Sequence, residues 1–277
     1  MFKYCAELKY VKCLATDISA ASCVYDWLGG VAASGVFIKA EGMNDWSSGS
    51  SGIPSGWTVD LSTINGHEFV DLGLSVKWAT CNVGASTPEE YGDYFAWGET
   101  EPKSDYEWGT YKWMQENKSD QEHITKYTID DGETGAIWYS GGAFVGDGKT
   151  TFADYDYADD AARANWGGTW RTPTIAEWDW LIDNCTWEWT YDYLGDGSNR
   201  AGNIGTSIVN GNQIFLPAAG HKTYDYFSGE GADCLFWSSS LSESYSYSAQ
   251  HIIFYYEQIE KHNAYRYAAL SVRPVTE

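Results

Sequence analysis

Large aromatic side chains run through this chain from end to end: 15 Trp, 21 Tyr and 10 Phe in 277 residues. Each buries on the order of 150–250 Å² when packed, so a chain carrying them throughout must build an interior to hold them. Charged residues make up only 20%, and that balance excludes a disordered segment. The aromatics are set among many Gly and Asp turns, with few long periodic stretches. The expectation is a compact α+β domain whose long loops carry function.

Charge excludes whole classes of partner. With 17 Lys+Arg against 39 Asp+Glu, the formal net charge is −22. Such a chain repels phosphate backbones and anionic lipid heads, so no nucleic-acid partner is expected. No apolar run approaches the ~18–20 residues needed to cross a bilayer, so no membrane insertion is expected. Cys5, Cys13, Cys23, Cys81, Cys185 and Cys234 are spread out with no CxxC pair, which argues against a zinc site and reads as mostly small buried hydrophobes. The start, Met1-Phe2-Lys3-Tyr4-Cys5, lacks the basic and apolar regions of a signal peptide. The chain is therefore expected to stay inside, leave by another route, or begin partway through a longer product, the last being favoured.

A boundary falls in the Ser/Gly-rich stretch from Trp46 to Gly56 and the residues after it, dividing the chain into 1–62 and 63–277. In the first part, Ile18–Val31 reads as a helix ended by Gly29-Gly30, followed by a strand over 35–40. A unit of ~45 residues buries little surface alone and should pack on a neighbour. In the second part, 68–72, 76–79 and 213–216 read as strands. A helix begins at Thr174, where Glu177 completes a capping box and Trp178, Leu181 and Ile182 recur at helical spacing.

The pattern Met1-Phe2-x-x-Cys5-x-x-Leu8-x-Tyr10-Val11, with the stretch from Cys13 to Trp57, resembles the end and closing cap of a BspA-like leucine-rich repeat. The alternative is a simple N-terminal flap. The larger part carries, in order, Phe69-Val70-Asp71-Leu72-Gly73-Leu74, Trp78-Ala79-Thr80-Cys81-Asn82-Val83-Gly84, and the run Pro88 to Glu99. Asp159-Asp160-Ala161-Ala162, Trp166-Gly167-Gly168-x-Trp170-Arg171-x-Pro173-Thr174, and Ile214 to Gly220 follow, and Trp237-Ser238-Ser239-Ser240 and Leu270 to Val275 close the series. Together these resemble the Fibrobacter major paralogous domain of Bacteroidetes. The resemblance implies a C-type-lectin-like fold of the formylglycine-generating-enzyme type, with Trp170 to Thr174 as the turn into a core helix. Trp170, Trp178, Phe215 and Trp237 are then core; Gly73, Gly84 and Gly220 relieve backbone strain; Arg171 and Arg273 satisfy carbonyls or buried carboxylates.

The chain is not expected to be an enzyme. Formylglycine-generating relatives use two neighbouring cysteines, and the matching region here holds only Cys234. No nucleophile elbow, phosphate loop or HExxH helix is present. Adjacent acids such as Asp130-Asp131 read as solvated turns. No cofactor is expected, with a structural calcium ion as the one exception: Asp154, Asp156, Asp159 and Asp160 are weak candidate ligands whose spacing matches no defined calcium loop.

The tail is unusual in a specific way. From Ser242 to Ala268 it carries Tyr245, Tyr247, Tyr255, Tyr256, Tyr265 and Tyr267 among Ser, His, Ile and Asn. In the strand through 251–255, alternation turns Ile252 and Phe254 inward and His251, Ile253 and Tyr255 outward. Tyr gives large, rigid, amphipathic contact at low entropy cost, as in an antibody paratope. Residues 237–277 resemble the variable region of proteins diversified by diversity-generating retroelements, which carry the same C-type lectin fold. The resemblance implies ligand contacts at Tyr245, Tyr247, His251, Ile253, Tyr255, Tyr256, His262, Asn263, Tyr265, Tyr267 and Ala268. It leaves Trp237, Ser238, Ile252, Phe254, Arg266, Leu270, Val272, Arg273 and Pro274 as scaffold. Ala269 departs from the family's glycine. The implied partner is a macromolecular ligand, protein or glycan, met at a bacterial surface, on an appendage or on a phage particle. An ordinary strand pair with a Tyr-rich face, a structural cap for the solenoid, a fixed carbohydrate-binding domain and, less favoured, a formylglycine-generating-type oxidase stay open as alternatives.

Overall fold

The structure, a computed structural model, describes residues 2–256 and 258–277. It is sheet-rich α+β and divides into two compact units, Met1–Phe69 and Val70–Glu277.

In the first unit, the strands Tyr10–Cys13, Gly35–Lys39 and Trp57–Leu61 lie parallel in that order. Val11, Leu28, Phe37 and Trp57 are buried between the strands and the intervening chain, and Trp27 and Trp46 stack at 5.5 Å beside them. The helix expected over 18–31 does not form. The N–H groups of Cys23, Tyr25 and Trp27 donate to carbonyls three residues back, giving a series of turns. Ser22 and Asp26 sit at φ of 62° and 47°, a left-handed conformation that no right-handed helix accommodates.

The second unit is organised by a sheet whose strands run Tyr226–Ser228, His221–Thr223, Ala269–Ser271, Cys234–Leu241, Ser248–Phe254 and Ile259–Tyr265 in spatial order. The short strand Tyr94–Ala96 also pairs with Ala269–Ser271. Two tryptophans fasten it there reciprocally: Trp237 Nε1 donates to the Phe95 carbonyl at 2.8 Å, and Trp97 Nε1 donates to the Ser238 carbonyl at 2.8 Å. The helix Ile175–Asp183 forms as expected, with Thr174 and Glu177 capping each other reciprocally. Its Trp178 and Leu181 meet Phe236, Ile252 and Phe254 in the main core, all fully buried. A smaller antiparallel sheet, Cys185–Thr190, Gly202–Ser207 and Gln213–Pro217, flanks that core. Near the end of the chain, Val275–Thr276 pairs with Lys77–Ala79.

Buried polar anchors hold the irregular segments. Arg171 makes a two-pronged ion pair with Glu177, at 2.8 and 2.6 Å. Arg273, fully buried, donates to the carbonyl of Ala79 and to Asn82 Oδ1. Gly84 sits at φ 83°, and a Cβ there would fall 2.4 Å from the Asp93 carboxylate, so only glycine fits. The cysteines depart from expectation. All six are free thiols and only Cys185 and Cys234 are buried; Cys13 and Cys81 are half-buried, and Cys5 and Cys23 lie exposed on turns.

Candidate functional site

The strands Ser248–Phe254 and Ile259–Tyr265 pair antiparallel, Ser248 opposite Tyr265, Gln250 opposite Asn263 and His251 opposite His262. Alternation along the first strand sends Ile252 and Phe254 into the main core, where both are completely buried. Its other face looks onto a concavity of about 540 Å³. That volume lies within the ~300–1,000 Å³ usual for ligand pockets.

Seven of the residues singled out in the sequence line this concavity: Tyr245, Tyr247, His251, Asn263, Tyr265, Tyr267 and Ala268. Their rings form a connected belt. Tyr245 stacks on Tyr247 at 5.0 Å, Tyr247 meets Tyr265 at 6.0 Å, and Tyr265 stacks on Tyr267 at 5.6 Å. Trp108 closes the belt edge-on, 4.8 Å from Tyr267 and 5.9 Å from Tyr265, and Tyr224 touches Tyr267 from the other side. Tyr245, Tyr265 and Tyr224 are 43%, 47% and 54% exposed, so the rim presents broad aromatic surface to solvent. Among the described residues lining it there is no Asp, Glu, Lys or Arg. In a chain of net charge −22, an uncharged hollow is a local exception.

The remaining four expected contacts lie elsewhere. Ile253 is cross-strand partner to Leu235, and both are 6% exposed. His262 is exposed and its Nε2 lies 2.6 Å from Glu260. Tyr255 is half-buried in the turn after the strand, its N–H donating to the Gln258 carbonyl. Tyr256 is exposed next to it and belongs to a different aromatic group, described below.

The expectation that His251 and Ile253 face solvent is therefore corrected. Both point away from the main core, but that second face is not bare: their direct cross-strand partners share it, Trp237 edge-on to His251 at 5.9 Å and Leu235 beside Ile253. His251 is 6% exposed and forms part of the floor. Burial first, then the neighbouring His262 and His221, pull its pKa down to about 4, so it is neutral at pH 7. Its Nδ1 and the Nδ1 of His221, also on the wall, have no hydrogen-bond partner among the described residues. Burial likewise pushes the Tyr267 phenol up to about 12, so it too is uncharged.

His221, Thr223, Leu235, Ser248 and Ala264, none of them foreseen, complete the lining together with Leu270, which the sequence assigned to the scaffold. His221 and Thr223 come from a strand more than twenty residues before the first of the tyrosines, and only sheet pairing brings them in. No local signal marks them.

The rim is held from beneath by Arg266, which is completely buried. Its Nη1 donates to the carbonyls of Lys126, Tyr127 and Ser246, and its Nε donates to the Tyr111 hydroxyl. The guanidinium lies among the rings of Trp97, Tyr111 and Tyr127. One side chain thus ties the 111–127 loop to both segments carrying the rim tyrosines, and its neighbours Tyr265 and Tyr267 are presented on either side of a fixed point. Asp131 braces the approach to Tyr247, accepting from the Ser246 N–H and hydroxyl.

The candidate calcium ligands do not converge. Asp159 accepts from Lys126 and from the Tyr127 hydroxyl, with Lys112 at 3.7 Å. Asp160 caps the helix Ala161–Trp166 and accepts from Thr172, and burial raises its pKa. Asp154 accepts from the N–H groups of Thr150 and Thr151, while Asp156 is an exposed left-handed turn residue at φ 54°. Although close in sequence, these carboxylates have separate structural partners, Lys112, Lys126 and Lys149 among them. Among the described residues no group of three or more His, Cys, Asp or Glu is placed to hold a metal ion, and no helix is long and apolar enough to cross a membrane.

No family model matches the chain, and no curated protein or solved structure is detectably similar to it.

Proposed function

We propose that this protein is a non-catalytic binding protein. It displays a tyrosine-rich recognition surface on a rigid, C-type-lectin-like sheet scaffold, and the ligand is a macromolecule that inserts an uncharged group into the concavity. One observation carries this reading: seven scattered residues of a paratope-like composition line a single uncharged hollow, while residues interleaved with them or following them, Ile252, Phe254, Arg266 and Arg273, are buried as scaffold. At the exposed positions, Tyr245, Asn263 and Tyr265, such a division lets contact side chains change without disturbing the core. Affinity then comes from preorganised aromatic anchors, and retroelement diversification of residues 237–277 is the process the pattern fits. The parallel stacking of short strands in the first unit supports its reading as the end of a leucine-rich solenoid, as on a bacterial surface or phage particle.

Cys234 supports a non-catalytic role. It is completely buried, its thiol donates to the Leu216 carbonyl, and burial pushes its pKa up to about 12, the opposite of an activated thiol.

The test is deep sequencing of the locus across isolates, counting amino-acid variation per codon from Trp237 to Glu277. Variation concentrated at Tyr245, Tyr247, Asn263, Tyr265, Tyr267 and Ala268, with Arg266 and Ile252 constant, supports a diversified receptor. Uniformly low variation rejects diversification and leaves a fixed binder, for which protein and glycan arrays probed with wild type and Y245A/Y265A are the next measurement.

A further inference from the structure

We propose that Trp189, Tyr191 and Tyr256, with Asp192 beside them, form a second binding site, separate from the concavity, and that its ligand is a neutral carbohydrate. Tyr256 leaves the strand Ser248–Phe254 at the end opposite Tyr247, roughly 20 Å along it at ~3.3 Å per residue. There it joins the small sheet. Its ring lies nearly parallel to that of Tyr191, 27° apart with centroids 6.0 Å distant, and Trp189 stands edge-on to both at 6.0 and 6.5 Å. Tyr191 and Tyr256 are nevertheless 65% and 57% exposed. Aromatic rings that are ordered against one another and yet open to water form a platform, not a core.

Two polar atoms at this corner are left over. Trp189 Nε1, a donor, and Asp192 Oδ1, an acceptor, are both shielded from water and have no hydrogen-bond partner among the described residues. The other Asp192 oxygen accepts from the Gly197 N–H at 2.8 Å and so fixes the loop. A shielded donor or acceptor without a partner is unfavourable, and a ligand seated on the rings and offering both functions relieves this once the two side chains turn toward it. Hydroxyl groups offer both, and a sugar ring adds a face of C–H bonds suited to the electron-rich face of a phenol. The net charge of −22 disfavours anionic ligands. A cation bound through aromatic faces is surrounded by them, as Lys126 is by Tyr155 and Trp113 at 3.8 and 4.3 Å. Near-parallel Tyr191 and Tyr256 instead suit a flat, extended ligand.

Isothermal titration of the full chain with cellohexaose, maltohexaose, xylohexaose and chitohexaose tests this. Saturable binding of at least one, at a Kd of about 1 mM or tighter, is expected. Y191A/Y256A should weaken it roughly tenfold or more, and D192N by a smaller factor; Tyr191 and Tyr256 lie exposed in turns and Asp192 is half-buried in a loop, and circular dichroism verifies folding. Binding of none of the four, or indifference to Y191A/Y256A, overturns the proposal. So does loss on Y245A/Y265A instead, which would put the sugar in the concavity. Saturable binding of choline chloride that is lost in Y191A/Y256A would make the platform a cation site and overturn it equally. None of these outcomes depends on variation at the concavity, so the two readings fail separately.

Discussion

Two regions of the larger unit are built from the same residue types and do opposite things. Around Lys126, the rings of Trp113, Tyr127 and Tyr155 close on an ammonium group that is also paired with Asp159. Every phenol there is spoken for: Tyr127 donates to Asp159 at 2.8 Å and Tyr155 to Asp147 at 2.6 Å. Around the concavity, Tyr245, Tyr247, Tyr265 and Tyr267 stack on one another with no charge among the lining residues and with orphan imidazole nitrogens in the floor and wall. The first cluster is satisfied internally and reads as structure; the second is open and unsatisfied and reads as a site. Richness in tyrosine does not separate the two. Partners do.

Arg266 joins the two regions, so its loss should have the largest effect. Arg266→Ala would strand the carbonyls of Lys126, Tyr127 and Ser246 and the Tyr111 hydroxyl in a dry environment. Several unsatisfied groups at ~1–3 kcal/mol each should destabilise the unit by about 4 kcal/mol or more. Urea denaturation measures it, and a loss under 1 kcal/mol would mean that the rim does not depend on this anchor.

Asp159→Asn tests the closed cluster alone. It removes the negative partner of a lysine whose side chain is only 16% exposed. Breaking a buried pair from one side costs about 3 kcal/mol. An unchanged Tm on adding calcium to wild type, together with this loss, would assign the carboxylate to Lys126; calcium stabilisation abolished by the variant would reverse that assignment.

The floor of the open region carries a pH signature. The folded pKa of His251 is lowered to about 4 from an unfolded value near 6.5. The unfolded chain therefore binds the extra proton between those values, and stability falls as pH drops through that window. Between pH 7 and pH 5 the His251 contribution should decline by about 2 kcal/mol. Comparing urea midpoints of wild type and His251→Gln at the two pH values isolates it, and equal slopes for both proteins would show that the floor histidine is not the cause. His221 and His262 remain in the variant as internal controls.

How far the sequence reached differs between the regions for a physical reason. The helix Ile175–Asp183 was legible because its capping box and its apolar spacing are local. The inward direction of Ile252 and Phe254 followed from alternation. Alternation gives parity only; how much of the second face stays open depends on neighbours such as Trp237 and Leu235, which pairing brings onto it from another strand, and so His251 and Ile253 were misjudged as solvent-facing. His221 and Thr223 were invisible for the same reason. The acids at 154–160 misled because adjacency says nothing about which lysine or helix end will claim a carboxylate. The turns at 18–31 misled because helix-compatible residues were broken by left-handed Ser22 and Asp26.

The smallest expected effect is the sharpest test of the contrast. Tyr245 and Tyr265 are nearly half exposed, and their contacts within the belt are with other rim rings and Trp108. Replacing both by Ala should change stability by no more than about 0.5 kcal/mol each, whereas Tyr127→Ala in the closed cluster, at a site with no exposed surface, should cost about 3–5 kcal/mol as other buried aromatic truncations do. The comparison uses one residue type, one substitution and one unit, so only the environment differs. If the two rim tyrosines proved as costly as Tyr127, the belt would be a structural core open at one end, and a scaffold that tolerates change at its rim would be the wrong description. If they are nearly silent in stability, the exposed rings are retained for something other than folding, and contact with a ligand is the role their placement leaves.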